Sequence, residues 1–374
     1  MTRFGKHPGL LVRQQEPFNA GPAPALLARD FLTPNDLFFV RNHGGVPAVD
    51  PDSYRLSIEG LVDRPLVLSM AELKSRPKRT VTATLQCAGN RRRELMDVAP
   101  IPNELGWGFE AVGNASWGGV PLCDLLALAG PLAEGRHVAF AGLDTTERHG
   151  ARFNFGGSVP LAKAAAPEVL LAYEMNGEPL PPVHGAPVRA LVPGYIGARS
   201  VKWLARIVVQ AEPSDNYFQS RAYRLFPPHS TAENVQWEQG MMLGEMSLNS
   251  VILIPAETDV MPAGRVVVRG FALAGPGRSV ERVDLSIDGG GSWAVADLAR
   301  ETPGAAQTPE TAAAAGWTWR LWESRVELGP GLHQLACRAW DSSAQTQPES
   351  PAQLWNFKGY MNNAWHRVRV RCRA

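Results

Sequence analysis

The chain has 374 residues, too many for one ordinary domain and enough for two that each bury a core. Its hydrophobic fraction of 45% and charged fraction of 20% are those of a globular chain. Thirty-seven basic residues against 36 acidic leave a net charge of +1; this argues against a nucleic-acid or membrane partner, so any anion site has to be local. The first residues, MTRFGKHPGLLVRQQEPFNAG, carry no signal-peptide apolar run and no twin arginine. Residues up to about 50 read as irregular, with FFVRNHGGVP the one stretch dense in unusual chemistry. From Tyr54 the pattern is mixed: YRLSIEGLV and RTVTATLQC predict strands, MAELKSR and PLCDLLALAG short helices. HVAFAGLD predicts a strand ending on an acid. VPLAKAAAPEVLLAYEMNG predicts a helix, a buried segment and a turn. PVRALVPGYIGARSVKWLARIVVQ gives two β-rich runs joined through a Pro-Gly turn and a basic loop. Beyond about residue 245 seven short alternating runs (VILIP, GRVVVRGFAL, VERVDLSID, SWAVADL, WTWRLWESRVEL, HQLACRAW, AWHRVRVRC) predict an immunoglobulin-like sandwich. The insert TPGAAQTPETAAAAG between two of them predicts an exposed loop. The fold class expected is therefore α+β: a mixed domain over 1–245, then an all-β domain over 246–374. The last four residues, RCRA, are no peroxisomal address, and no stretch approaches the ~20 apolar residues that span a bilayer. Four cysteines (87, 123, 337, 372) make a disulfide framework an unlikely design, and a reducing, cytoplasmic location is expected.

Three groups of residues carry chemistry. Cys87 closes the run TVTATLQC. A cysteine there is a small buried hydrophobe on one reading. On the other, Arg91, Arg92 and Arg93 put positive charge beside it and favour the thiolate, the form that ligates metals. No CxxC or HxxxH occurs, so a metal on Cys87 would take most of its ligands from a cofactor. His184, Arg189, Arg199 and Lys202 form a basic cluster that either lies on a solvated face or converges on one anion, such as a phosphate or a pterin. Their apolar neighbours make unpaired charge costly, which favours convergence. Arg41-Asn42-His43 could cap a helix or bind an anion, and Asp144 could accept a ring N–H or cap a turn.

Taken together, FFVRNHGGVP, TVTATLQCAGNRR, LLAYEMNGEPLP, HGAPVRALVPGYIGARSVKWL and WNFKGYMNNAWHRV resemble the motifs of the sulfite oxidase family, in its order, from about residue 17 to the C-terminus. The resemblance implies a molybdenum–molybdopterin cofactor (Moco), with Cys87 supplying the protein thiolate. It implies that Phe39, Val40, Arg41, Asn42, His43, Asp144, His184, Arg189, Arg199, Ser200 and Lys202 hold the pterin and its phosphate. Arg41, Arg92, Trp107, Tyr223 and Lys358 would form the substrate pocket. The implied reaction is oxygen-atom transfer to sulfite, with electrons passed to an external acceptor, cytochrome or oxygen. A homodimer through the C-terminal domain is implied as well.

The match departs at one point. Animal and plant members carry arginine where this chain has Lys358, so the charge is kept and the planar two-pronged donor is lost. Eukaryotic nitrate reductases share the fold, but usually have Val before the cysteine and an uncharged residue at that position. Gln86 and Lys358 thus favour sulfite over the alternative, reduction of nitrate or another oxo-compound. A binding or assembly protein with a decayed molybdenum site is a third reading, opposed by the intact Cys87. No CxxCH occurs, and a haem-free chain of the plant and bacterial type is expected.

Overall fold

The computed structural model describes residues 3–299 and 316–374; residues 302–315 of the alanine-rich insert lie outside them. Near the N-terminus β1 (Leu10–Gln14) and β2 (Asn19–Pro22) pair antiparallel, followed by the single turn α1 (Pro24–Leu27). The sequence pattern missed this ribbon because NAGP contains no β-former. Tertiary pairing holds it instead: Ala20 exchanges hydrogen bonds with Val40, which anchors the FFVRNH segment.

The elements that follow are β3 (Arg55–Gly60), β4 (Leu66–Ser69), α2 (Met70–Lys74), β5 (Arg79–Gln86), α3 (Arg92–Met96), β6 (Val112–Pro121), α4 (Leu122–Ala129) and β7 (His137–Arg148). After them come β8 (Ala151–Pro160), α5 (Leu161–Ala164), β9 (Leu170–Met175), β10 (Glu178–Pro179), β11 (Arg189–Leu191) and β12 (Leu204–Gln210). They build two sheets, in the orders β10-β9-β6-β5, with β11 also on β9, and β4-β3-β12-β7-β8. Local chemistry explains several of these elements. A capping box between Ser69 and Glu72 starts α2. In α4, Leu122, Leu125, Leu126 and Ala129 recur on one buried face, each leucine worth ~2 kcal/mol. In β5 buried Val81, Ala83 and Leu85 alternate with threonines, so the strand puts one face into a core and delivers Cys87 at its end. β6 is long although its sequence, VGNASWGGVP, is poor in β-formers. At Gly119 a Cβ would collide with the Leu171 carbonyl of β9, so close approach of backbones requires glycine there.

The C-terminal part contains the short pair β13 (Arg224–Leu225) and β14 (Met241–Met242), then two sheets. One is ordered β15 (Asn249–Ile254), β17 (Gly264–Leu273), β21 (Arg320–Leu328), β20 (Asp297–Leu298). The other is ordered β16 (Val260–Pro262), β23 (His366–Arg373), β22 (Gly331–Asp341), β18 (Val280–Ser286), β19 (Ala294–Val295). Their facing side chains, among them Val268, Trp322, Leu285, Leu335 and Val370, share one core. That core does not stand apart: Val251, Phe271 and Trp319 pack into the core of the preceding sheets. Among the described residues no helix is long and apolar enough to cross a membrane.

His366 sits where the two parts meet. Its Nδ1 accepts the Ile252 N–H at 3.1 Å, and its ring meets Phe109 edge-on at 5.6 Å. Burial, helped by Arg91, lowers its pKa to about 4, with Glu94 opposing. The folded pKa lies below the ordinary 6.5, so neither state takes the proton above pH 6.5. As pH falls from 6.5 to 4 the unfolded chain binds a proton that the folded chain refuses, and stability drops by roughly 3 kcal/mol. His366→Asn keeps an acceptor near the Nδ1 position and removes the titration. Its urea midpoint is expected to fall less than that of the wild type between pH 7 and 4.5; equal falls would remove His366 as the cause.

Candidate active site

A cavity of about 60 Å3 lies at the end of β5. Cys87 lines it. The Cys87 N–H donates to the Ala111 carbonyl, which extends the β5–β6 ladder by one residue, and its Sγ accepts the Gly89 N–H at 3.4 Å. The three arginines that follow do not act together, contrary to the expectation from their spacing. Arg91 turns away into a buried bidentate pair with Glu94, 2.7 Å on each side, and Arg93 is exposed beside Asp97. Only Arg92 remains close, lying across Gly89, where a Cβ would collide with its guanidinium. The helical turn of α3 explains the split, since successive side chains leave it about 100° apart.

Arg41, Asn42 and His43 line the same cavity. Arg41 donates to the Asn42 carbonyl, to Asn19 Oδ1 at 3.3 Å and to His43 Nδ1 at 3.1 Å. An arginine only donates, so Nδ1 is the acceptor and the His43 proton is on Nε2. That nitrogen is 2.8 Å from the Tyr223 hydroxyl oxygen, which accepts from it. The tyrosine's own O–H is then left to donate into the cavity. The imidazole is flanked by Phe155 and Phe218; burial first, and then Arg41, hold its pKa well below the usual value. Burial likewise raises the Tyr223 phenol, which stays protonated.

His184, Arg189, Ser200 and Lys202 line the same cavity. Arg189 donates to the carbonyls of His184 (3.1 Å) and Ser200 (2.9 Å) and lies over the Trp117 ring; burial brings its pKa down to about 9. Lys202 donates to Asn42 Oδ1 and to the Val183 carbonyl. Burial pulls its ammonium well down, with Arg189 adding to the effect and Asp144 opposing it. His184 is held by Lys6, whose Nζ is 3.0 Å from Nε2. Burial lowers that lysine to about 7. Asp144 Oδ1 and Asn42 Nδ2 are buried and have no hydrogen-bond partner among the described residues.

Five expected residues, Val40, Arg199, Trp107, Arg92 and Lys358, do not line this cavity. Val40 pairs with Ala20 and sends its side chain into a small cluster with Leu10, Phe18 and Leu37, whereas its neighbour Phe39 does line the cavity; alternation along an extended segment forces that difference. Arg199 points away, donating to the Leu243 carbonyl at 2.6 Å and lining a second cavity with Gln219 and Tyr195. Trp107 is fully buried in the apolar cluster containing Cys87 and does not line the cavity. Arg92 and Lys358 come together from 266 residues apart in sequence, and Glu104 joins both. Glu104, Tyr360 and Lys6 were missed. An acid in PNELGW and a tyrosine two residues after Lys358 carry no periodic signal, and Lys6 lies in a segment read as irregular.

Two family models match the chain: an oxidoreductase molybdopterin binding domain over residues 43–218 and a Mo-co oxidoreductase dimerisation domain over 241–373. The sulfite oxidase of Arabidopsis thaliana is 41% identical over 377 residues, covering 98% of this chain and 95% of that one. The chain belongs to the sulfite oxidase family. The mitochondrial sulfite oxidase of Homo sapiens is 45% identical over 98% of this chain, which spans 66% of the human protein's length. Among solved structures, the sulfane dehydrogenase SoxCD of Paracoccus pantotrophus superposes with a TM-score of 0.79 at 26% identity, over 97% of this chain and 89% of that one.

The residues present suit the cofactor this family's domain binds. One cavity offers a thiol, two orphaned buried polar atoms for pterin edges and the cations Arg41, Arg189 and Lys202 for a phosphate. Among the described residues no group of three or more His, Cys, Asp or Glu could hold a metal ion, so a metal on Cys87 would take most of its ligands from the cofactor.

Proposed function

We propose that this chain oxidises sulfite to sulfate, using a molybdenum–molybdopterin cofactor held through Cys87. The observation that carries the reading is the meeting, at one cavity, of a single thiol, a hydroxyl donor oriented by His43, and a cation-rich cradle. Sulfite gains one oxygen derived from water; two protons and two electrons are released, the electrons to an external acceptor, cytochrome or oxygen. When bound, the cofactor supplies the two-electron oxygen-atom transfer.

The chain's own residues do the rest. Arg41, Arg92 and Lys358 attract and orient the oxyanion, each charge-assisted contact worth ~1.5–3 kcal/mol. Tyr223 donates its hydroxyl proton in a hydrogen bond at the reacting oxygen, because His43 has taken its acceptor side. Arg189, Lys202, His184, Ser200, Asn42 and Asp144 hold the pterin and its phosphate. Trp107 supports the Cys87 loop from behind instead of walling the pocket. The boundary at 245/246, an immunoglobulin-like form for the second domain, a homodimer through it, and a unit working without its own haem belong to the same proposal. The two-sheet core and the dimerisation-domain match support the middle two.

The test is steady-state turnover of the purified holoenzyme: sulfite with ferricyanide, and in parallel nitrate with reduced methyl viologen. Sulfite-dependent ferricyanide reduction far exceeding any nitrate reduction is the expected result. Nitrate turnover without sulfite turnover would overturn it. Light scattering of the same sample is expected to give a dimer's mass, and a monomer's mass would remove the dimer from the proposal.

A further inference from the structure

A carboxylate sits among the cations of the proposed substrate pocket. Glu104 Oε2 is 3.6 Å from Arg92 Nη2, and Glu104 Oε1 accepts from Lys358 Nζ. All three side chains are largely buried, at 15%, 3% and 18% exposure, so solvent screens them little. The two cations are held differently. Arg92 is locked: Nε donates to the Gly359 carbonyl (3.0 Å) and the Lys358 carbonyl (3.2 Å), Nη1 to the Leu105 carbonyl (2.9 Å), and the Tyr360 ring lies 5.0 Å beneath its guanidinium. Gly359, at φ +61°, is part of the lock, since a Cβ there would meet Arg92 Cγ at 2.6 Å. Lys358 Nζ, in contrast, has Glu104 as its hydrogen-bond partner, on a flexible stem. Glu104 acts electrostatically on the Tyr223 hydroxyl together with Arg41, Cys87 and Arg92.

We propose that Glu104 is a specificity-determining residue of this pocket. Its carboxylate cancels one unit of the positive charge held by Arg92 and Lys358, and it occupies Lys358 until an oxyanion takes its place. It therefore weakens binding of a doubly charged oxyanion more than that of a singly charged one. Coulomb energy scales with the product of charges, so removing one negative charge helps a dianion by twice the free energy that it helps a monoanion. A tenfold gain for the first corresponds to about threefold for the second. The consequence for turnover is faster release of sulfate, a dianion, at the expense of tight sulfite binding. This rests on the reading of Arg92 and Lys358 as substrate-binding residues.

The test uses the holoenzyme and its Glu104→Gln, Glu104→Asp and Glu104→Ala forms, titrated calorimetrically with sulfate and, separately, nitrate at fixed ionic strength. Glu104→Gln is expected to tighten sulfate about tenfold and nitrate about threefold, as one unit charge at a partly desolvated site predicts. Glu104→Asp, which keeps the charge, is expected to match the wild type. Glu104→Ala reports the same charge effect should the glutamine form not fold. In parallel the KM for sulfite is expected to fall in Glu104→Gln without a rise in kcat. Unchanged sulfate affinity, equal gains for the two anions, or an aspartate form that tightens like the glutamine form would each overturn the proposal. Binding is read without turnover, so the two readings fail separately. Wild-type sulfite oxidation with unaltered sulfate affinity in Glu104→Gln sinks the role of Glu104 alone. Charge-dependent tightening in a protein that does not oxidise sulfite supports that role and sinks the proposed reaction.

Discussion

Cys87→Ser is expected to leave a folded chain whose sulfite turnover is lower by about a thousandfold or more, ~4 kcal/mol of lost transition-state stabilisation. The fold survives because the substitution is nearly isosteric and Sγ makes one weak hydrogen bond, to the Gly89 N–H at 3.4 Å, which a serine hydroxyl can take over. The stability change is expected to stay within about 1 kcal/mol. Activity fails because an alcohol gives up its proton to a metal far less readily than a thiol does and is a poor soft ligand. Matching thermal midpoints and circular dichroism, together with the ferricyanide assay, check both halves. Full turnover by the serine form would remove Cys87 as the metal's protein ligand.

The second large effect concerns stability. Arg91→Met is expected to cost about 3 kcal/mol, the low end for breaking a buried ion pair, because the Glu94 left behind is 28% exposed. Arg91 is fully buried, grips Glu94 with two hydrogen bonds of 2.7 Å, and reaches Asn249 Oδ1 of β15 at 2.7 Å. Asn362 adds a hydrogen bond to the Arg91 carbonyl. Arg91 thus ties the turn after Cys87 to two separate C-terminal segments, to β15 by its side chain and to Asn362 by its carbonyl. Arg93→Met, two residues along, is the control: its pair with Asp97 is 69% exposed on both sides and is expected to contribute within about 0.5 kcal/mol. Urea unfolding of the two variants side by side measures the contrast. Equal stability would mean that Arg91 carries no structural load.

These neighbouring arginines show where a sequence reading stops. RRR is one basic run when read along the chain, but in space it is a structural brace, a cation locked against the Gly359 carbonyl and a solvated charge. The same limit applies to GARSVKW. Ser200 and Lys202 line the cavity, while Arg199 turns its back on it, because a 3-10 turn over Gly197–Arg199 sends adjacent side chains in different directions. Long strands also went unread where close backbone approach had replaced β-formers with glycine, as in β6 and in the FGGS of β8.

By itself the sequence determined what depends on neighbouring residues and on chemical type. That covers the alternation that makes β5 a strand ending at Cys87, the amphipathic face of α4, the run of C-terminal strands, and the motif set of the family. The family's motifs also named most of the side chains around the cavity, and for the basic cluster the cost of unpaired charge among apolar neighbours pointed the same way. Only the tertiary structure decided direction and partnership: that Val40 faces a core, that Lys6 reaches His184, and that Glu104 lies between Arg92 and Lys358. Those contacts join residues 178 and 254 positions apart. No periodicity along the chain encodes such a distance; it follows from how the sheets stack and which loops that stacking brings together.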